Sequence, residues 1–117
     1  MGISGQAVLL RIFVGESDKV GHLPLFEAIV RKARQEGLAG ATVLKGVLGY
    51  GATAHIRTTK ILDLSADLPM VIEIVDEQSK VEAFQPICSE LIEQANGGGL
   101  VTLENIRVIH YLPGKPH

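Results

Sequence analysis

The chain has no tryptophan, two tyrosines and three phenylalanines, so aromatics make up only 4% of its 117 residues. A core without large rings has to be aliphatic, and at 46% hydrophobic there is ample Val, Ile, Leu and Ala to build it. That content also argues against disorder over most of the length. Cysteine occurs once, as Cys88, which rules out an internal disulfide and fits a reducing, cytoplasmic setting. There is no excess of basic charge: 11 Lys and Arg stand against 13 Asp and Glu, for a net charge of −2. The balance argues against a general nucleic-acid binder, and no polybasic cluster appears that would hold the protein on an anionic membrane. No apolar run approaches the roughly 18 residues of a spanning helix, so no direct membrane insertion is expected. The opening residues Met1-Gly2-Ile3-Ser4-Gly5-Gln6 lack the basic stretch and apolar core of a secretory leader. They also lack the Ser or Thr at the sixth position that myristoylation favours.

The length fits one compact domain, expected over 1–112, with 113–117 as a flexible tail. Gln6 to Val14 reads as a buried strand, with Val8, Leu10, Ile12 and Val14 on one face and Arg11 the only charge on the other. Gly15 to Leu23 reads as a loop. Pro24 opens a helix whose apolar positions are Leu25, Phe26, Ile29, Val30 and Ala33, and Gly37 closes it. A second strand runs from Ala41 to about Val47. Gly49 to Thr59 has no hydrophobic period and reads as a mobile loop. Leu68 to Val75 is a strong strand signal ended by Asp76. A helix from about Glu77 to Ala95 carries Val81, Phe84, Ile87, Cys88, Leu91 and Ile92 on one stripe, and Pro86 inside it predicts a kink or a late start. After Asn96-Gly97-Gly98-Gly99, two last strands are expected, Leu100 to Leu103 and Ile106 to Tyr111, on either side of Glu104-Asn105.

The order strand, helix, strand, strand, helix, strand (βαββαβ) predicts an α+β, ferredoxin-like split βαβ fold. It has a four-stranded antiparallel sheet with two helices on one face. Strands apolar on both sides predict that the other face packs against another subunit.

Two glycine segments stand out. A β-branched run opens through Gly49-Tyr50-Gly51 into a long segment, a pattern suited to presenting a loop on a rigid scaffold. Gly97-Gly98-Gly99 can form an anion-holding nest of backbone N–H groups, or can be an ordinary helix stop and turn. Arg107 shares its strand face with Ile109 and Tyr111, a place where an arginine is normally paired with a carboxylate or a phosphate. Lys45, His55, Arg57 and Lys60 put positive charge in and around the long loop, as a docking surface or as solvated charge. Glu16-Ser17-Asp18 reads as a helix cap or as a ribose contact, with the cap preferred. His22, His55, His110 and His117 form no metal-ligand spacing, and no nucleophile–base signature supports catalysis, so no enzyme and no metal site are expected.

Across nearly the whole domain the chain resembles the PII-like superfamily, trimeric ferredoxin-like proteins, and looks closest to its branch of unknown function. The resemblance is carried by Leu10-Arg11-Ile12-Phe13-Val14-Gly15-Glu16-Ser17-Asp18, by Pro24 to Val30 and by Gly40-Ala41-Thr42-Val43-Leu44-Lys45-Gly46. Leu68 to Asp76 and Gly99-Leu100-Val101-Thr102-Leu103-Glu104 complete it. It implies a PII-like homotrimer that binds an adenine nucleotide in clefts between subunits and signals through a loop. In such proteins the loop follows a Gly-Phe-Gly similar to Gly49-Tyr50-Gly51, and a glycine-rich turn like Gly97-Gly98-Gly99 cradles phosphates. Thr42 matches a threonine that faces the adenine, and Arg107 lies near the basic residues that grip phosphate.

Departures from the family pattern narrow the ligand. Ala52-Thr53-Ala54-His55 replaces the Gln-Lys pair past the glycines, which argues against 2-oxoglutarate sensing with magnesium. No tyrosine lies between Ala52 and Pro69, so uridylylation of the loop is not supported. Leu100 stands where a phosphate-clamping lysine would follow the glycine turn. AMP, ADP or cyclic AMP is therefore expected ahead of a clamped ATP, with no required cofactor. The 49–60 loop, with Ala52, His55, Arg57 and Lys60, would dock a protein partner such as a membrane transporter, a channel or an enzyme. Two alternatives remain at this level: a ligand-free structural or interaction module, and a divalent metal-handling trimer.

Overall fold

The computed structural model describes Ile3, residues 5–51, the backbone of residues 57–58 and residues 67–115. Strand β1 (Gly5–Gly15) is followed by a short hairpin of β2 (Lys19–Val20) and β3 (Leu23–Pro24), then by helix α1 (Leu25–Gln35). Strand β4 (Thr42–Lys45) leads to a two-residue ladder of β5 (Leu48–Gly49) and β6 (Arg57–Thr58). Strand β7 (Pro69–Asp76), helix α2 (Gln78–Ala95) and strand β8 (Leu100–Val108) complete the order. The main sheet is antiparallel with spatial order β4-β7-β1-β8, the arrangement of the split βαβ fold expected from the sequence.

Period-two alternation divides the sheet. Val8, Leu10, Ile12 and Val14 of β1 face the helices with Met70, Ile72 and Ile74 of β7. Leu25, Ile29 and Ala33 of α1 and Val81, Phe84 and Cys88 of α2 close over them as one aliphatic core. The other face carries Leu9, Phe13, Val71 and Val75, all half-buried, with Leu44 49% and Leu100 57% exposed at its margins. Arg11 sits amid this face. Its Nε donates to Glu73 Oε2 at 2.9 Å, and its Nη1 lies 3.8 Å from Glu104 Oε1.

Local chemistry sets the element ends. Gly37, at φ +83°, supplies the left-handed position after α1. Its N–H donates to the carbonyl of Arg34, and that of Leu38 donates to the carbonyl of Ala33, the paired bonds of a Schellman stop. At the end of α2 the left-handed residue is Asn96 (φ 57°), which leaves the glycines after it free for other work. Asp76 is fully buried where β7 ends. Its Oδ2 accepts from the Ala39 N–H at 2.8 Å and its Oδ1 from the Glu77 N–H at 2.7 Å, which ties the approach to β4 to the start of α2.

Three expectations are corrected. Helix α2 begins at Gln78 and carries Pro86 inside it at an exposed position, so the late start does not occur. The two expected last strands are one: Glu104 and Asn105 pair with Leu9 and Val8 in mid-strand, where β1 supplies the backbone partners that local polarity argued against. The segment from Gly49 onward has a paired base, Leu48 opposite Thr58 and Gly49 opposite Arg57.

Candidate functional site

The C-terminal end of β1 is where the fold concentrates polar backbone. After Gly15 the chain turns through Glu16, Ser17 and Asp18. Asp18 turns its side chain back, so that Oδ2 accepts the Gly15 N–H at 2.9 Å, while its main-chain carbonyl accepts the Leu25 N–H at 2.7 Å. The expected side-chain cap is therefore absent. Helix α1 has Pro24 as its N-cap with no side-chain cap bond, and the main-chain carbonyl of Asp18 accepts from its first N–H, that of Leu25.

Beside this turn stands the start of β7. The Glu16 N–H donates to the carbonyl of Leu68 at 2.9 Å, and the Ser17 N–H donates to Asp67 Oδ1. Glu16 also pairs with Lys45 Nζ at 2.8 Å, and the Gly46 N–H donates to the carbonyl of Pro69 at 2.7 Å. These bonds fix the strand ends from which the Gly49-Tyr50-Gly51 segment departs.

From the other side comes the turn after α2. Gly97 packs so closely on the Asp18 carboxylate that a Cβ there would fall inside its van der Waals envelope. Any side chain at Gly97 would have to displace the Asp18 carboxylate. The result is a cleft of about 540 Å³ in which Gly49-Tyr50-Gly51 and Gly97-Gly98-Gly99 face one another. Phe13, Val14, Pro69 and Leu100 supply apolar walls, and Gly15, Asp18 and Asp67 the polar floor. Tyr50 stands at the mouth, 72% exposed. Among the described residues, no Lys, Arg or His lines the cleft. Such a site offers flat apolar surfaces to a ring, backbone N–H groups to an anion and carboxylates to hydroxyl or amino donors.

Six of the expected site residues thus meet: Gly49, Tyr50, Gly51, Gly97, Gly98 and Gly99. Thr42 does not line the cleft; it is exposed on β4 opposite Glu73, on the open sheet face. Arg107 is also elsewhere, exposed opposite Gln6 and seven residues along β8 from Leu100, roughly 23 Å away at strand rise. The strand ends at Val108, so the crowded face expected for Arg107 with Ile109 and Tyr111 does not form. The Arg57 backbone pairs with Gly49. Its side chain, with Ala52, His55 and Lys60, lies outside the described residues.

Asp67 was not legible as a cleft residue, because the β1–β7 register that sets Gly15 opposite Pro69 is what brings it beside Ser17. Cys88 is buried in α2, and burial pushes its thiol from the ordinary 9.0 up to about 12, as suits a packing residue.

This fold is the PII-like one. A nitrogen regulatory PII-like protein, CPII of Thiomonas intermedia K12, superposes with a TM-score of 0.60 at 19% identity over 92% of each chain. It was captured with ADP, AMP and bicarbonate. A PII-like signaling candidate from Thermus thermophilus superposes with a TM-score of 0.63 at 16% identity, over 93% of this chain and 94% of that one. The chain itself belongs to the DUF190 family, described as an uncharacterized ACR, whose model matches residues 7–108. Among its relatives, a UPF0166 protein of Aquifex aeolicus is 38% identical over 87% of this chain and 92% of its own length. A UPF0166 protein of Methanocaldococcus jannaschii is 32% identical over 88% and 92%.

Proposed function

We propose that the protein is a PII-like regulator that binds an adenine nucleotide in the cleft between Gly49-Tyr50-Gly51 and Gly97-Gly98-Gly99. The observation that carries this reading is the convergence of two glycine segments, far apart in sequence, on one 540 Å³ cleft. The ADP and AMP found in the Thiomonas protein of the same fold add support. AMP, ADP or cyclic AMP is the favoured ligand, since neither a lysine nor any other cation among the described residues lines the cleft. Signalling runs through the 49–60 loop to a protein partner, and the assembly is a homotrimer joined over the open sheet face. In that assembly Thr42, on the open face, and Arg107, at the far strand end, would reach a cleft only from a neighbouring subunit. The role is regulatory rather than catalytic, in the cytoplasm.

Thermal unfolding against AMP, ADP, ATP, cyclic AMP and a guanine nucleotide tests the reading. A ligand at about a hundred times its dissociation constant adds roughly 2.7 kcal/mol to the folded state. Stabilisation by adenine compounds, lost in Gly98→Leu, is the expected outcome. No shift with any nucleotide at millimolar concentration would leave an interaction module whose loop binds its partner directly.

A further inference from the structure

We propose that Asp18 sets the charge of the ligand, holding down the cleft's affinity for each added phosphate. The inference rests on the adenine-nucleotide reading above. The Asp18 carboxylate is fixed in place: Oδ2 takes the Gly15 N–H at 2.9 Å, and the group is pressed against Gly97 of the glycine turn. The N–H groups that would draw a phosphate to residues 97–99 therefore stand beside a resident negative charge.

A second carboxylate compounds the effect. A Cβ built on Gly15 would lie 2.9 Å from Asp67 Oδ2 and 3.2 Å from Asp18 Oδ2, so the two acids flank the same point of the cleft floor. Among the described residues no Lys, Arg or His lines the cleft, and Lys45 is engaged by Glu16 at 2.8 Å. Like charges about 5 Å apart in a partly screened protein environment repel strongly enough to shift an equilibrium by roughly a hundredfold. A carboxylate in the same place accepts hydrogen bonds from ribose hydroxyls or an amino group without penalty. The cleft thereby ranks adenine ligands by phosphate count.

Calorimetric titration of adenosine, AMP, ADP and ATP, in EDTA to exclude metal bridging, tests this on the wild type and Asp18→Asn. Asparagine keeps an acceptor for the Gly15 N–H, removes the charge and replaces the second oxygen with an NH2 group. The ratio of ATP to adenosine affinity should rise about tenfold or more in D18N. Asp18→Ser, checked for an intact unfolding transition, should shift the ratio in the same direction. An unchanged ratio, or a fall in ADP and ATP affinity, overturns the proposal while leaving the adenine-nucleotide reading in place. Failure of all four ligands to bind any of the three proteins overturns both.

Discussion

Cys88 shows how burial fixes the chemistry of a single side chain. Its sulfur lies in the apolar layer between α2 and the sheet, and desolvation of the thiolate holds the thiol at about 12 against an ordinary 9.0. Two outcomes follow. At pH 8 the folded protein should react with a soluble thiol reagent at least about a hundredfold more slowly than the urea-unfolded chain, measured by absorbance of the released chromophore. The pH dependence of stability carries the same sign. Below pH 9 both states keep the proton, and above it the unfolded chain loses its proton first, so stability falls as pH rises from 9 towards 12. Urea titrations over that range should show a shallower fall in Cys88→Ala than in the wild type.

Among the elements, the end of β7 does more than terminate a strand. Among the described residues, Asp76 is the one polar side chain in the fully buried set, and its two oxygens hold the N–H groups of Ala39 and Glu77. Cutting the carboxyl away strands two donors in a dry region. Asp76→Ala should therefore destabilise the fold by about 2–4 kcal/mol, read from the urea midpoint, while Asp76→Asn, which keeps one acceptor, should cost less. The same accounting explains β8. Glu104 and Asn105 look like a break because they are polar, yet both lie on an edge strand whose pairing with β1 runs unbroken past them and whose side chains reach solvent. Pro86 is the parallel case on a helix, tolerated because it occupies the exposed side of α2.

At the scale of the whole molecule, the sheet has one face sealed by helices and one face left with half-buried Leu9, Phe13, Val71 and Val75 around the Arg11–Glu73 pair. An apolar face of this kind on a chain of 12.5 kDa is costly to leave in water, and the proposed trimer covers it. Val71→Lys, at the middle of that face, should convert a species of three times the chain mass into a monomer in sedimentation equilibrium. The far-UV spectrum should be retained, since Val71 points away from the helix-side core. A wild-type protein already monomeric at micromolar concentration would remove the trimer from the proposed function.

The alternation of Val8, Leu10, Ile12 and Val14, the helical spacing of Leu25, Ile29 and Ala33, and the stop at Gly37 are local patterns, and they determined the element order and the split βαβ fold. Gly49-Tyr50-Gly51 and Gly97-Gly98-Gly99 were legible as site candidates for the same reason, since a glycine's permissiveness is written in its own identity. Register and long-range approach are not written locally. Pairing of Gly15 with Pro69 set Asp67 beside the 15–18 turn, and the meeting of α2's end with that turn set Gly97 on Asp18. Arg11 found Glu73 across 62 residues, and Thr42 and Arg107 were placed away from the cleft by the same strand registers. Hydrophobic period and backbone propensity act over a few residues, so the sequence alone determined the elements and their faces. The positions of the cleft's charges depend on which strand ends are brought together, and that only the tertiary structure decided.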